Sequence, residues 1–185
     1  MAQTTQRALA ASLKKLLMTK TLDKITVKDL VQDCQVNRQT FYYHFQDIYA
    51  LLDWIFTTES AEIIAENKTK STWQKGFLRV FEYMRENQHL AINVYRSIGR
   101  EQLEQYLYRV VFDLIYDVVD EQAADLAVSE EDKRFITDFY KYAFVGLVLE
   151  WLRTGMKEEP QKMIDRLDKL ISGDFRRALL KYQNH

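Results

Sequence analysis

Breakers of regular structure are scarce in this chain: one proline, Pro160, and five glycines in 185 residues. That scarcity argues against a sheet protein and against a disordered one. It predicts long helices with short connections. A single cysteine, Cys34, excludes an intrachain disulfide and suits a reducing cytoplasm. His44, His89 and His185 lie far apart, and with one cysteine they offer no metal-ligand spacing. No segment reaches the ~18 uninterrupted apolar residues of a membrane span, and no apolar signal-peptide run opens the chain. The expectation is a soluble, cytoplasmic protein with no membrane partner. Phosphate-cradling glycine loops and the nucleophile elbow of hydrolases are missing, as is any nucleophile–base pair. Neither a metal, a cofactor nor an enzymatic function is expected.

Hydrophobic residues make up 47 % and charged residues 29 %, enough for a substantial core in one or two domains. The net charge of −1 does not mark a nucleic-acid binder, but it is unevenly spread. Residues 1–48 carry seven Lys or Arg against four Asp, a balance of +3, which leaves −4 for the remainder. A mildly basic head on an acidic body suits a head that meets DNA.

The head centres on residues 26–45, TVKDLVQDCQVNRQTFYYHF. Thr26 is placed to N-cap a first short helix, with Asp29 near its positive end. Val27, Leu30, Val31 and Cys34 repeat at helical spacing, giving one apolar face. Cys34, Gln35 and Val36 make a turn, and Asn37 caps a second helix whose inner face carries Phe41 and Phe45. Arg38, Gln39, Thr40, Tyr42, Tyr43 and His44 then point outward or to the rim. A helix start with these residues and no acid suits a DNA major groove: Arg and Gln reach base edges, and Tyr, Thr and His reach phosphates. The same pattern fits an ordinary helical hairpin with its polar side in solvent.

The order of residues resembles the helix-turn-helix signature of the TetR/AcrR family of bacterial transcriptional regulators. Thr40, Phe41, Tyr42, His44 and Phe45 match its T-[FL]-Y-x-H-F core, and the resemblance covers about the first 52 residues. Two positions depart from the family. Gln35 stands where glycine is frequent, so a positive φ is expected of a residue with a side chain. Ile48 stands where a phosphate-anchoring Lys is frequent, leaving that contact to Tyr49 or a backbone N–H. The resemblance implies an all-α fold: a three-helix DNA-binding head, then a helical ligand-binding and dimerisation body, about nine helices in total. DNA contact is expected from Thr26, Lys28, Asn37, Arg38, Gln39, Thr40, Tyr42, Tyr43 and His44.

Along the chain, a first helix over residues 4–19 turns Leu9, Leu13, Leu16 and Leu17 inward. Ile25, Val27, Leu30, Val31, Val36, Phe41 and Phe45 complete the expected head core, with Cys34 as a small buried member. A fourth helix, 48–66 and capped by Asp47, bridges a head of 1–48 and a body of 49–185. A polar loop follows at 67–71. Helices are then predicted over 72–85, 87–98, 101–124, 130–154 and 161–181. Ser129 caps the fourth of these, Gly155 stops it, and Pro160 opens the last.

The helix over 130–154 has more apolar surface than one face of a bundle requires, and Ala143 and Gly146 permit another helix to approach closely. With the last helix it forms the expected dimer interface: Phe139, Ala143, Gly146, Ile164, Leu167 and Ile171. The alternative is a pair of core helices in a monomer. A helix-turn-helix reads a two-fold site as a dimer, and the family resemblance implies dimerisation through the last two helices. The pattern from Phe139 to Gly155 resembles the subgroup that includes dihydroxyacetone kinase regulators. Body aromatics, Trp73, Phe77, Tyr95, Tyr106, Phe112, Tyr142 and Trp151, are candidates to line an apolar effector pocket or simply to fill the core. The expected function is a homodimeric, sequence-specific regulator that binds a palindromic operator in double-stranded DNA under the control of a small-molecule effector. The alternative is a DNA-bound co-activator whose body docks a partner protein carrying the signal.

Overall fold

The computed structural model describes the backbone of residues 2–64, 69, 72–97 and 100–183, and the side chains of 4–59, 69, 72–97 and 103–183. Every regular element among them is helical, as expected. In order they are α1 (Ala2–Leu17), a 3₁₀ turn (Leu22–Lys24), α2 (Val27–Asp33), α3 (Arg38–His44), α4 (Ile48–Ile64) and α5 (Trp73–Glu86). Then follow α6 (Gln88–Ser97), α7 (Arg100–Ala123), α8 (Glu130–Arg153), α9 (Pro160–Ile171) and α10 (Asp174–Lys181). The expected end of the fourth helix at 66 and the loop 67–71, Thr69 excepted, lie outside the described residues. The helix predicted over 161–181 is two helices. Gly173, at φ +79°, breaks it and leads α10 off as a separate element.

The chain divides into two compact units. The first is Met1–Glu59 with Asn87–Leu103, and the second is Ser60–Glu86 with Glu104–His185. The first unit therefore reaches past the expected boundary at residue 48, taking in most of α4 and all of α6. Its core is continuous: Leu9, Leu13, Leu17, Leu22, Ile25, Leu30, Val31, Phe41, Phe45, Leu51, Leu52, Ile55, Leu90 and Val94 are all buried. Leu16, Val27, Cys34 and Val36 pack against it half-buried. Burial pushes the Cys34 thiol pKa up, and its Sγ lies 3.4 Å from the carbonyl of Ala8. It behaves as a small packing residue, not a reactive thiol.

The second unit is held by aromatic packing and by the contacts of α9 with α5 and of α10 with α8. α9 opens on Pro160, whose missing N–H costs nothing at a helix start. It turns Met163, Ile164, Leu167 and Ile171 inward and packs against α5. Gln74 of α5 reinforces the contact, donating to Asp168 at 2.8 Å. Trp73, Phe77 and Phe144 form one ring cluster, and Phe81 meets Trp151 at 4.9 Å between centroids. α8 starts on the expected cap: Ser129 Oγ accepts from the Asp132 N–H at 3.1 Å. It ends in a Schellman turn, with the Met156 N–H on Trp151 O at 2.8 Å and the Gly155 N–H on Leu152 O at 3.0 Å. α10 lies on α8 through Phe175, whose ring meets Tyr140 at 4.6 Å.

Candidate nucleic-acid interface

The helix pair α2–α3 is built by short-range chemistry. The Thr26 hydroxyl accepts from the Asp29 N–H at 3.2 Å, and the Asp29 carboxylate accepts from the Thr26 N–H at 2.8 Å. This reciprocal box satisfies donors that a helix start leaves unpaired. The hydroxyl and amide of Thr26 hold the Asp29 carboxyl down to about 2, with Lys20 adding to the effect from 3.3 Å. α2 ends in another Schellman turn: the Val36 N–H reaches Val31 O at 2.9 Å and the Gln35 N–H reaches Gln32 O at 3.3 Å. That geometry needs a left-handed residue, and Gln35 supplies it at φ 55°. The departure from glycine changes the strain, not the turn.

One residue later Asn37 caps α3, its Oδ1 accepting from the Thr40 N–H at 2.8 Å and from the Thr40 hydroxyl at 2.9 Å. Phe41 and Phe45 point into the core, and Phe45 meets Trp54 of α4 at 5.9 Å. α4 itself is capped by Asp47, which accepts from the Ala50 N–H at 2.8 Å. Two aromatic anchors thus fix the rotation of a seven-residue helix too short to be stable alone. Its other face is set by subtraction. Arg38 and Gln39 are exposed in the first turn, Tyr42 is exposed, and Tyr43 is 82 % exposed. His44 is half-buried, its ring edge-on to Tyr43 at 4.9 Å.

The nine residues expected at DNA therefore divide by the state of their polar ends. Thr26, Asn37 and Thr40 spend side-chain atoms on the caps. Lys28, in the first turn of α2, and Arg38 are exposed and pair with no carboxylate among the described residues. A guanidinium, an amide, an ammonium and two phenols are thus exposed on α2 and α3. Those groups suit guanine and adenine edges and the phosphates beside them.

The other expected sets are placed as follows. Trp73, Phe77 and Trp151 are buried, and their rings touch Phe144 and Phe81, filling space in the second unit. Tyr106 is half-buried on α7. Phe112 and Tyr142 flank the Lys141 ammonium at 5.5 and 4.5 Å. Tyr95 lies on α6, in the first unit. Among the candidate dimer residues, Phe139 is 66 % exposed, and Ala143 and Gly146 are exposed beside it. Phe135, Tyr142 and Leu147 extend the same bare stripe along α8. Ile164, Leu167 and Ile171 are buried instead, because α9 spends that face on α5. Beside the stripe, an open groove of about 610 Å³ runs between α8 and α10, lined by Phe135, Phe139, Tyr140, Leu180 and Tyr182 among others.

The residues of α6 that join the first unit were not anticipated there. Leu90 and Val94 of α6 enter its core, and Asn93 between them bonds to α1 and the 3₁₀ turn. The signal available in sequence was an asparagine on an otherwise apolar helix face.

Comparison with known proteins agrees with this architecture. A transcriptional regulator C-terminal region of the TetR type matches residues 71–173. The HTH-type dhaKLM operon transcriptional activator DhaS of Lactococcus lactis subsp. lactis is 30 % identical over 157 residues, covering 82 % of this chain and 81 % of that one. A solved dihydroxyacetone kinase operon activator DhaS superposes with a TM-score of 0.72 at 25 % identity, covering 97 % of this chain and 98 % of that one. A TetR regulator from Streptococcus agalactiae shares the fold, with a TM-score of 0.60 at 18 % identity over 99 % of this chain and 96 % of that one. No helix among the described residues is long and apolar enough to cross a membrane. The family match spans more than half the chain, and the sequence relative covers four-fifths of it. The chain belongs to the TetR family of transcriptional regulators, which are not enzymes.

Proposed function

We propose that the chain is a homodimeric, sequence-specific operator-binding regulator that responds to an effector through its second unit. The observation that carries the reading is α3: a short helix pinned by Phe41 and Phe45, with Arg38, Gln39, Tyr42 and Tyr43 held out in solvent. The two exposed tyrosines each offer an apolar ring and a hydroxyl, which suits contact with the sugar-phosphate backbone. Thr26, Lys28, Asn37, Thr40 and His44 complete the DNA-facing set. The dimer forms along the α8 stripe of Phe139, Ala143 and Gly146, pairing two heads on a palindrome. The relative named an activator of a dihydroxyacetone kinase operon favours activation as the sign of control.

The effector is a small molecule held among the body aromatics, or a partner protein that carries the signal. Packing favours the second source: Trp73, Phe77 and Trp151 fill the core, while an open apolar groove lies between α8 and α10. Sequencing the genomic DNA that co-purifies with the protein tests the reading. A recovered palindrome supports it, and fragments without a shared motif refute it.

A further inference from the structure

A polar cluster of the first unit is centred on α6, far in sequence from α2 and α3. Asn93 of α6 makes four hydrogen bonds. Its Nδ2 donates to Leu17 O at 2.9 Å and to Lys20 O at 2.7 Å. Its Oδ1 accepts from the Leu22 N–H at 3.3 Å and from the Ser97 hydroxyl at 3.1 Å. The chemistry fixes the amide orientation: two carbonyls must meet the NH₂, and a backbone N–H must meet the oxygen. The carbonyls of Leu17 and Lys20 belong to the end of α1 and the connection after it, and Leu22 opens the 3₁₀ turn. One side chain therefore closes the bend between α1 and α2, with Leu90 and Val94 seating it from either side.

The path continues to the DNA-facing side. Lys20, whose carbonyl Asn93 holds, places its ammonium 3.3 Å from Asp29. Asp29 is one half of the capping box that starts α2, and Lys28 stands next to it. We infer that Asn93 is a positioning residue for operator reading, setting the start of α2 through the α1–α2 bend. The inference rests on the DNA-binding reading.

The test uses the full-length protein and the duplex that wild type selects from random DNA. Asn93→Asp keeps the acceptor but sets a carboxylate against two carbonyls, and Asn93→Ala removes all four bonds. Both variants should remain folded by circular dichroism and bind the selected duplex about tenfold more weakly, the equivalent of one or two hydrogen bonds. Affinity for random duplex at low salt should stay within about twofold, since phosphate contacts supply that binding. Amide exchange at Leu22 should accelerate in Asn93→Ala, which removes its acceptor, while Phe41 and Phe45 stay protected. If both variants unfold, Ser97→Ala, which removes only the hydroxyl that orients the carboxamide, should give a smaller loss of the same kind. Faster Leu22 exchange with unchanged specific affinity overturns the inference, since the latch is then structural only. So do equal losses on specific and random DNA. A wild type that selects no duplex refutes the DNA-binding reading, and the positioning role with it.

Discussion

Gly146 sits in the middle of a 24-residue helix, where glycine costs about 0.5–1 kcal/mol relative to alanine. Nothing among the described residues requires it: a Cβ built there meets no atom of theirs within 4 Å, and the position is exposed. The conventional reasons for a helical glycine, a close neighbour or a left-handed backbone, are both missing among the described residues. In the proposed dimer, a second copy of α8 crossing at this point would supply the first. Two variants separate these cases. Gly146→Ala should raise the stability of the dissociated chain by about 0.5–1 kcal/mol and still loosen the dimer. Gly146→Leu should overpack the crossing by about 1–3 kcal/mol, which raises the dimer Kd by about 5- to 150-fold. Sedimentation equilibrium over a dilution series reads the Kd. Thermal unfolding below it reads the chain alone. A wild type that stays monomeric at all concentrations, or a Gly146→Leu protein that dimerises as tightly as wild type, refutes the reasoning.

Arg38→Ala should cost about 1–3 kcal/mol at the cognate operator and little on random DNA. Identical base preferences for mutant and wild type in a selection from random duplexes would show that Arg38 does not read sequence. Gln35→Gly relieves a left-handed residue with a side chain, at φ 55°, and should stabilise the fold by up to about 1 kcal/mol after the extra freedom of unfolded glycine is deducted. A lower urea midpoint for the variant contradicts that account. Asp29 titrates near 2 when folded against an ordinary 3.8, so the unfolded chain binds the proton first. Its contribution is complete above about pH 5, by the same linkage, and is lost as pH falls through 3.8 toward 2. Asp29→Asn, melted across that window, should show a shallower acid slope than wild type; parallel slopes rule the capping box out as the cause.

How much of this could be read from sequence depended on how local the cause was. Caps act over three residues, and Thr26, Asn37, Asp47 and Ser129 all cap the helices they were expected to start. Apolar periodicity gave the inner faces of α1, α2 and α3, since each turns one face to a small core. It misled at the end of the chain for a physical reason. Leu167, Ile171, Phe175 and Leu179 are all buried at intervals of four, so the period runs in phase across Ser172 and Gly173. Only the left-handed glycine marks the break.

Periodicity also states that a face is apolar without stating what covers it. α8 and α9 looked alike as candidate interfaces, but α9 is covered by α5 while the outer stripe of α8 stays bare. The discriminating fact is a tertiary contact between segments far apart in sequence, and no local pattern encodes it. A polar residue on an apolar face carries more information than the apolar residues around it. Asn93 lies half-buried between the buried Leu90 and Val94, where an amide shielded from water without partners would cost about 1–3 kcal/mol. Such a residue demands donors and acceptors from elsewhere in the chain. The carbonyls of Leu17 and Lys20 answer that demand, and through them α6 belongs to the unit that carries the reading helix.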